Sequence, residues 1–156
     1  QGFAALENSG VLTASDDVHY SLPERYTIVD VTKSYPYQRS VFERVDNLNN
    51  EERALANALD AMDEVTWWQR NTDRGQFALK AWHPHTFNPD FLARLTNGVD
   101  VLLEYKGADR ATDDPTRWKD ELGSAWALLD PKKRFFRIVT KANLGTVVAE
   151  LKTKGK

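Results

Sequence analysis

The sequence contains no cysteine, and that absence removes several chemistries at once. Disulfide cross-links, cysteine-ligated zinc and thiol nucleophiles are excluded, and the composition suits a reducing compartment such as the cytoplasm. No apolar run approaches the roughly 18 residues that a membrane helix requires, so no membrane span is expected. No secretory-signal pattern opens the chain. A glycine-rich phosphate loop is also missing, so the chain is not expected to bind ATP by itself. There are no repeats and no low-complexity tracts. The first residue is Gln1 rather than Met, which leads to the expectation of a piece of a longer protein.

What is present is the composition of a globular domain. The 156 residues are 41% hydrophobic and 28% charged, enough for one domain, or one domain with an arm. The net charge of −2 hides an asymmetry. Residues 1–64 hold 5 Lys and Arg against 12 Asp and Glu, a balance of −7, and residues 65–156 hold 16 against 11, a balance of +5. A basic stretch of that size can meet phosphates; an ordinary fluctuation of charge along a domain is the alternative.

Residues 1–24 are weakly patterned and read as an arm or linker, leaving 25–156 as a single domain. Arg25–Thr32 alternates as a strand does, whereas Pro36 leaves the next stretch ambiguous. Asn49 followed by Glu52 forms a capping-box pattern ahead of the apolar stripe Leu48, Leu55, Leu59 and Met62, which predicts a helix. Val65–Asn71 and Gln76–Trp82 read as strands around a turn at Thr72–Gly75. Asp90–Leu95 and Val99–Lys106 read as strands joined through Asn97-Gly98, a strong hairpin signal. A second helix is predicted from Asp114 as N-cap and Pro115 in the first turn, then a strand over Arg134–Thr140 and a closing helix over Asn143–Lys154. Strands flanked in this way by helices predict an α/β fold: a mixed sheet with helices on both faces.

The charged positions stand out against that frame. Glu104 and Lys106 share one face of their strand and Tyr105 takes the other. The hairpin returns the first residues of one strand to the last residues of the next, so Asp90 and Glu104 can lie together. Two adjacent carboxylates repel, and burying them is costly. A hard cation such as Mg²⁺ resolves the conflict, because carboxylate oxygens with water are its preferred ligands. Lys106 can then orient water or stabilise charge developing on phosphorus. The pattern acid-x-Lys occurs three times, at Glu104, Asp130 and Glu150, and only Glu104 ends an apolar strand with a hairpin partner. An exposed strand end with solubilising charges remains the plain alternative.

Glu52 lies on the apolar stripe of its helix, where an acid is expensive unless paired, and it is also the right residue to complete the cap. Both readings stand. Lys119 on the second helix can reach the same place or a phosphate, or belong to a solvated face. Gln69, Arg70 and Asn71 end a strand that can reach the same rim, with Arg70 and Asn71 as candidate nucleic-acid contacts. His83 and His85 flank Pro84 with no third ligand at metal spacing. The five tryptophans fall mostly at core spacing and are expected to pack.

Taken together, the Glu52 helix, "VTWWQRN", Pro89-Asp90-Phe91-Leu92 and "VLLEYKG" resemble the PD-(D/E)xK nuclease superfamily. More narrowly, they are similar to the C-terminal endonuclease domain of type III restriction subunits and related helicase-linked proteins, over about Leu48 to Val139. The resemblance implies a restriction-endonuclease-like core, helix–three strands–helix–strand, and Mg²⁺- or Mn²⁺-dependent cleavage of DNA. It places the catalytic set on Glu52, Asp90, Glu104 and Lys106, with Asp90, Glu104 and Glu52 as metal ligands. A helicase, ATPase or recognition part in the same polypeptide or complex is the implied partner. A non-catalytic nucleic-acid-binding or protein-docking module on the same fold is the competing expectation.

Overall fold

The computed structural model describes residues 27–71, 77–80, 86–107 and 114–156. They form a mixed α/β fold of three helices, a four-stranded mixed sheet and a two-stranded sheet. Helix α1 (Asn50–Ala61) begins where the cap pattern placed it: the Asn49 side chain accepts from the Glu52 N–H at 2.8 Å, and Glu52 Oε2 accepts from the Asn49 N–H at 3.1 Å. This reciprocal pair satisfies two otherwise orphaned donors. Extended backbone at Met62 ends the helix, and Leu55, Ala56 and Leu59 are its buried residues.

The small sheet joins β1 (Tyr35–Pro36) and β2 (Arg44–Val45). The main sheet has the order β3 (Val65–Arg70), β4 (Phe91–Leu95), β5 (Asp100–Tyr105), β6 (Arg134–Val139). The first three strands are antiparallel, and β6 runs parallel to β5 after the crossover through α2 (Asp114–Leu129). Helix α3 (Leu144–Lys154) closes the chain. The β4–β5 hairpin turns at Gly98, whose φ of +87° suits glycine. The Gly98 N–H donates to the Leu95 carbonyl, and Asn97 Oδ1 accepts from the Val99 N–H.

Alternation along the strands builds a core on each face. Phe91, Ala93, Leu95, Val101, Leu103 and Val139 pack with Leu55 and Leu59 of α1 and Val147 and Leu151 of α3. Leu92, Leu102 and Phe136 pack on the opposite face with Leu122 and Trp126 of α2. Helices therefore cover both faces. Each fully buried Leu or Phe contributes about 1.5–3 kcal/mol, so the two clusters together set the strand register. Trp68 and Trp126 are buried, while Trp67 and Trp118 pack partly buried against the α2-side cluster. Trp82 lies outside the described residues.

Two expected strands take another form. Thr27–Asp30 is irregular and Val31–Lys33 is a 3-10 turn, because the Asp30 side chain captures both the N–H and the hydroxyl of Thr32. Val29 and Val31 are 89% and 69% exposed, so their alternation has no core to face. Within the expected strand Gln76–Trp82, the described residues show only an isolated bridge between Leu79 and Phe87. The Phe77 carbonyl is instead taken by the side-chain amides of Asn71 and Asn88. Asp114 lies within the first turn of α2 rather than ahead of it. Residues 1–24, the Thr72–Gly75 turn, His83 and His85 lie outside the described residues.

Helix α2 approaches β6 most closely at Gly123. A Cβ there would stand 2.4 Å from Cε1 of Phe136, whose ring is 2% exposed. Alanine gains about 1 kcal/mol of helix propensity, and forcing a buried ring aside costs about 1–3 kcal/mol. Gly123→Ala is therefore expected to lower the urea midpoint with an unchanged m-value. A midpoint at or above that of the parent contradicts the close packing.

Candidate active site

The register that pairs Phe91 with Leu103 sets Asp90 one step outside the ladder, across from Glu104. Asp90 then acts as the next rung of the sheet. Its carbonyl accepts from the Asn71 N–H at 2.8 Å, and its Oδ2 accepts from the Tyr105 N–H at 2.8 Å. Its Oδ1 meets Arg70 Nη1 at 3.1 Å. One main-chain N–H and a guanidinium thus fix the two carboxylate oxygens.

Leu103 and Tyr105 belong to the α1/α3-side cluster, so Glu104 between them points toward α2. Its side chain is 4% exposed. Oε1 lies 3.1 Å from Lys106 Nζ and 3.5 Å from Lys119 Nζ, while Oε2 is buried with no hydrogen-bond partner among the described residues. Lys106 is held at the sheet end by its own N–H, which donates to the Val139 carbonyl at 2.8 Å. Lys119 reaches in from α2 over the Phe87 ring.

Burial pushes the Glu104 carboxyl up to about 7, and the neighbouring Asp90 pushes in the same direction; Lys119 and Lys106 pull the other way without cancelling the rise. For Lys106, burial acts to lower the pKa, but the Glu104 carboxylate and Asp90 carry it above its ordinary value. The pair therefore comprises an acid that titrates near neutrality and an ammonium that stays charged.

Of the four residues expected to form the catalytic set, Asp90, Glu104 and Lys106 come together. Glu52 stands one residue away. It completes the helix cap, and its Oε1 lies 3.5 Å from Arg70 Nη2. Arg70 joins it to Asp90: Nη1 also donates to the carbonyls of Asp90 and Asn71, and the guanidinium lies over the Phe91 ring at 5.4 Å. The expected three-acid ligand set does not form, since no three acidic or histidine side chains converge among the described residues. The guanidinium separates Glu52 from the other two acids and neutralises that side.

Arg70, a candidate nucleic-acid contact by sequence, is partly buried and bridges Glu52 and Asp90. Strand alternation carried the signal for this: Arg70 is two residues from the buried Trp68, hence on the α1 side, where Glu52 is the acid on the apolar stripe. Asn71 is also turned inward. Its Nδ2 donates to the Phe77 carbonyl at 2.8 Å, while its Oδ1 is buried without a partner among the described residues. Gln69, on the Glu104 face by alternation, is 1% exposed and neither polar atom of its amide has a partner among the described residues. The rim around Glu104 thus contains several buried polar atoms with unused hydrogen-bonding capacity.

Compared with protein-family models, with curated proteins and with solved structures, the chain shows no match.

The raised Glu104 pKa makes stability depend on pH. Below about 4.5, its ordinary value, Glu104 is protonated whether folded or unfolded, and no penalty arises. Above about 7 it is charged in both states, and the folded state bears the full cost. Stability is thus expected to fall as pH rises between those limits, by on the order of 3 kcal/mol at most. Glu104→Gln should flatten this slope in urea denaturation at about pH 5 and about pH 8. Equal slopes for both proteins would show that Glu104 is not the group responsible.

Proposed function

We propose that this chain is a Mg²⁺- or Mn²⁺-dependent DNA endonuclease domain of the PD-(D/E)xK type, hydrolysing phosphodiester bonds within a larger restriction or helicase-linked cytoplasmic protein. The observation that carries this reading is the state of Glu104: buried beside Asp90, held through Oε1 by two lysines, with Oε2 left unpartnered among the described residues.

The residues fit a hard cation. Asp90 and Glu104 would hold it, the buried free oxygen of Glu104 supplying an unused lone pair where a second carboxylate raises the cost of negative charge. The ion would supply charge neutralisation and Lewis acidity toward water and a phosphoryl oxygen. The chain's own side chains account for the rest of the chemistry. The Tyr105 N–H and Arg70 keep Asp90 from swinging away, and Glu52 holds Arg70 from behind as a positioning residue. Because Lys106 keeps its proton, it serves as a fixed positive charge that orients water and stabilises negative charge on the phosphate, not as a base. Lys119 adds a second positive charge 3.5 Å from the same carboxylate oxygen. DNA is the proposed substrate, with targeting supplied by a helicase, ATPase or recognition partner.

One observation favours the competing reading of a non-catalytic module. Three of the four carboxylate oxygens of Asp90 and Glu104 already have partners within the chain. Those three oxygens need no ion to be satisfied.

Plasmid nicking separates the two. The wild-type chain is expected to nick DNA with Mg²⁺ or Mn²⁺ and not with EDTA. Asp90→Ala or Lys106→Ala should reduce nicking by at least about 100-fold, with cooperative unfolding retained. Unchanged nicking by both variants removes the catalytic assignment. In parallel, Mg²⁺ is expected to raise the melting temperature of the wild type at about pH 8 and not that of Glu104→Gln.

A further inference from the structure

A groove of about 770 Å³ opens away from Glu104, between α3 and the edge strand β6. It shares no residue with the Asp90–Glu104–Lys106–Lys119 set. Phe135 and Ala149 give it an apolar lining, and Thr146 and Thr153 add hydroxyls from one stripe of α3. Four cations line it, Lys132, Arg137, Lys154 and Lys156, against one acid, Glu150.

Those charges divide into a fixed wall and a free end. Arg137 is paired: its Nη2 lies 2.6 Å from Glu150 Oε2, its Nη1 donates to the Phe136 carbonyl, and its guanidinium lies 4.6 Å over the Phe135 ring. Lys154 donates to the Pro131 carbonyl and has further donors to offer. Lys132 and Lys156 are exposed and meet no acid among the described residues. Lysines are favoured at a helix C-terminus, which accounts for Lys154. That preference does not account for Lys132, which comes from the turn before β6. Lys132 from the turn before β6 and Lys154 and Lys156 from the end of α3 therefore line one groove beside apolar surface, an arrangement that concentrates positive potential.

The donor set also selects the anion. A carboxylate is best read by the planar fork of arginine, and the one arginine here is already taken by Glu150. Ammonium groups and hydroxyls are point donors without a preferred plane, and suit tetrahedral phosphate. A carboxylate here would lack the bidentate arginine partner, and an acidic peptide therefore serves as a competing probe.

We propose that the groove between α3 and β6 is a metal-independent contact for the phosphodiester backbone of a nucleic acid, separate from the Asp90–Glu104 site. It stands whether or not that site cuts DNA, because it needs no metal and none of the same residues.

The test is fluorescence anisotropy of a labelled DNA oligonucleotide in EDTA, where no metal-dependent cleavage occurs, with inorganic phosphate and an acidic peptide as competing probes. Lys132→Glu/Lys156→Glu is expected to weaken binding at least 10-fold. It should also lower the slope of log K against log salt by about 2, close to one per phosphate contact. Lys33→Glu, an equally exposed lysine elsewhere, should leave both nearly unchanged. Three results overturn the proposal: no binding by the parent chain, equal loss in the Lys33→Glu control, or saturation of the groove by inorganic phosphate or peptide without displacement of DNA. Nicking is measured separately, so a chain that binds but does not cut tells against the nuclease reading alone.

Discussion

The burial of Glu104 one rung from Asp90 is the constraint around which this fold is arranged. A lone buried carboxylate costs several kcal/mol, and a second beside it adds repulsion. Each nearby element reduces that cost. The N–H of Tyr105 and the Arg70 guanidinium neutralise Asp90, and Lys106 and Lys119 neutralise one oxygen of Glu104. Compensation is incomplete, because burial and Asp90 together still hold the Glu104 carboxyl near 7. A protein selected for stability alone could place leucine here, as it does at Leu102 and Leu103 on the same strand. Glu104 is therefore an acid held in the interior at a cost in stability.

Arg70 extends the constraint across the sheet. Glu52 caps α1 on one side and Asp90 ends the β4 ladder on the other, and one guanidinium reaches both. The N-terminus of α1 is thereby tied to the charged end of β5 without any direct contact between Glu52 and Glu104. This also reconciles the two roles open to Glu52 from sequence, since it caps the helix with one oxygen and braces the site with the other. Losing Arg70 would leave two partly buried acids facing each other, so its contribution is larger than that of a surface ion pair, which is about 0–1 kcal/mol.

The parts legible in the sequence were those with strong local grammar. The capping box at Asn49 and Glu52, the hairpin at Asn97-Gly98 and the alternating strands fixed the elements, and the hairpin alone brought Asp90 opposite Glu104. Face assignment followed too: Glu104 and Lys106, read as sharing one face, lie 3.1 Å apart. Features decided by longer-range competition were not legible. The strand expected over Arg25–Thr32 gives way to side-chain capture at Asp30, because its valines have no core to bury against. The strand expected over Gln76–Trp82 is reduced to one bridge in its described part, with asparagine side chains taking the Phe77 carbonyl. For Arg70, strand alternation carries the signal that turns it toward Glu52.

The charge asymmetry of the sequence acquires a spatial meaning in the fold. Five basic residues of the C-terminal part lie in two places. Lys106 and Lys119 face the acids and are largely spent on them, whereas Lys132, Lys154 and Lys156 gather beyond the edge strand with no comparable counter-charge. Glu104 and Arg137 project from opposite faces of the sheet, one toward Lys119 on α2 and the other toward Glu150 on α3. The packed strands between them form a rigid partition, with both faces filled by buried leucine and phenylalanine. A long polyanion held on the groove side would be restrained without spending the positive charge that Lys106 and Lys119 contribute around Glu104. If both proposals hold, exposed lysines would set the affinity for the backbone and leave the buried pair to the chemistry.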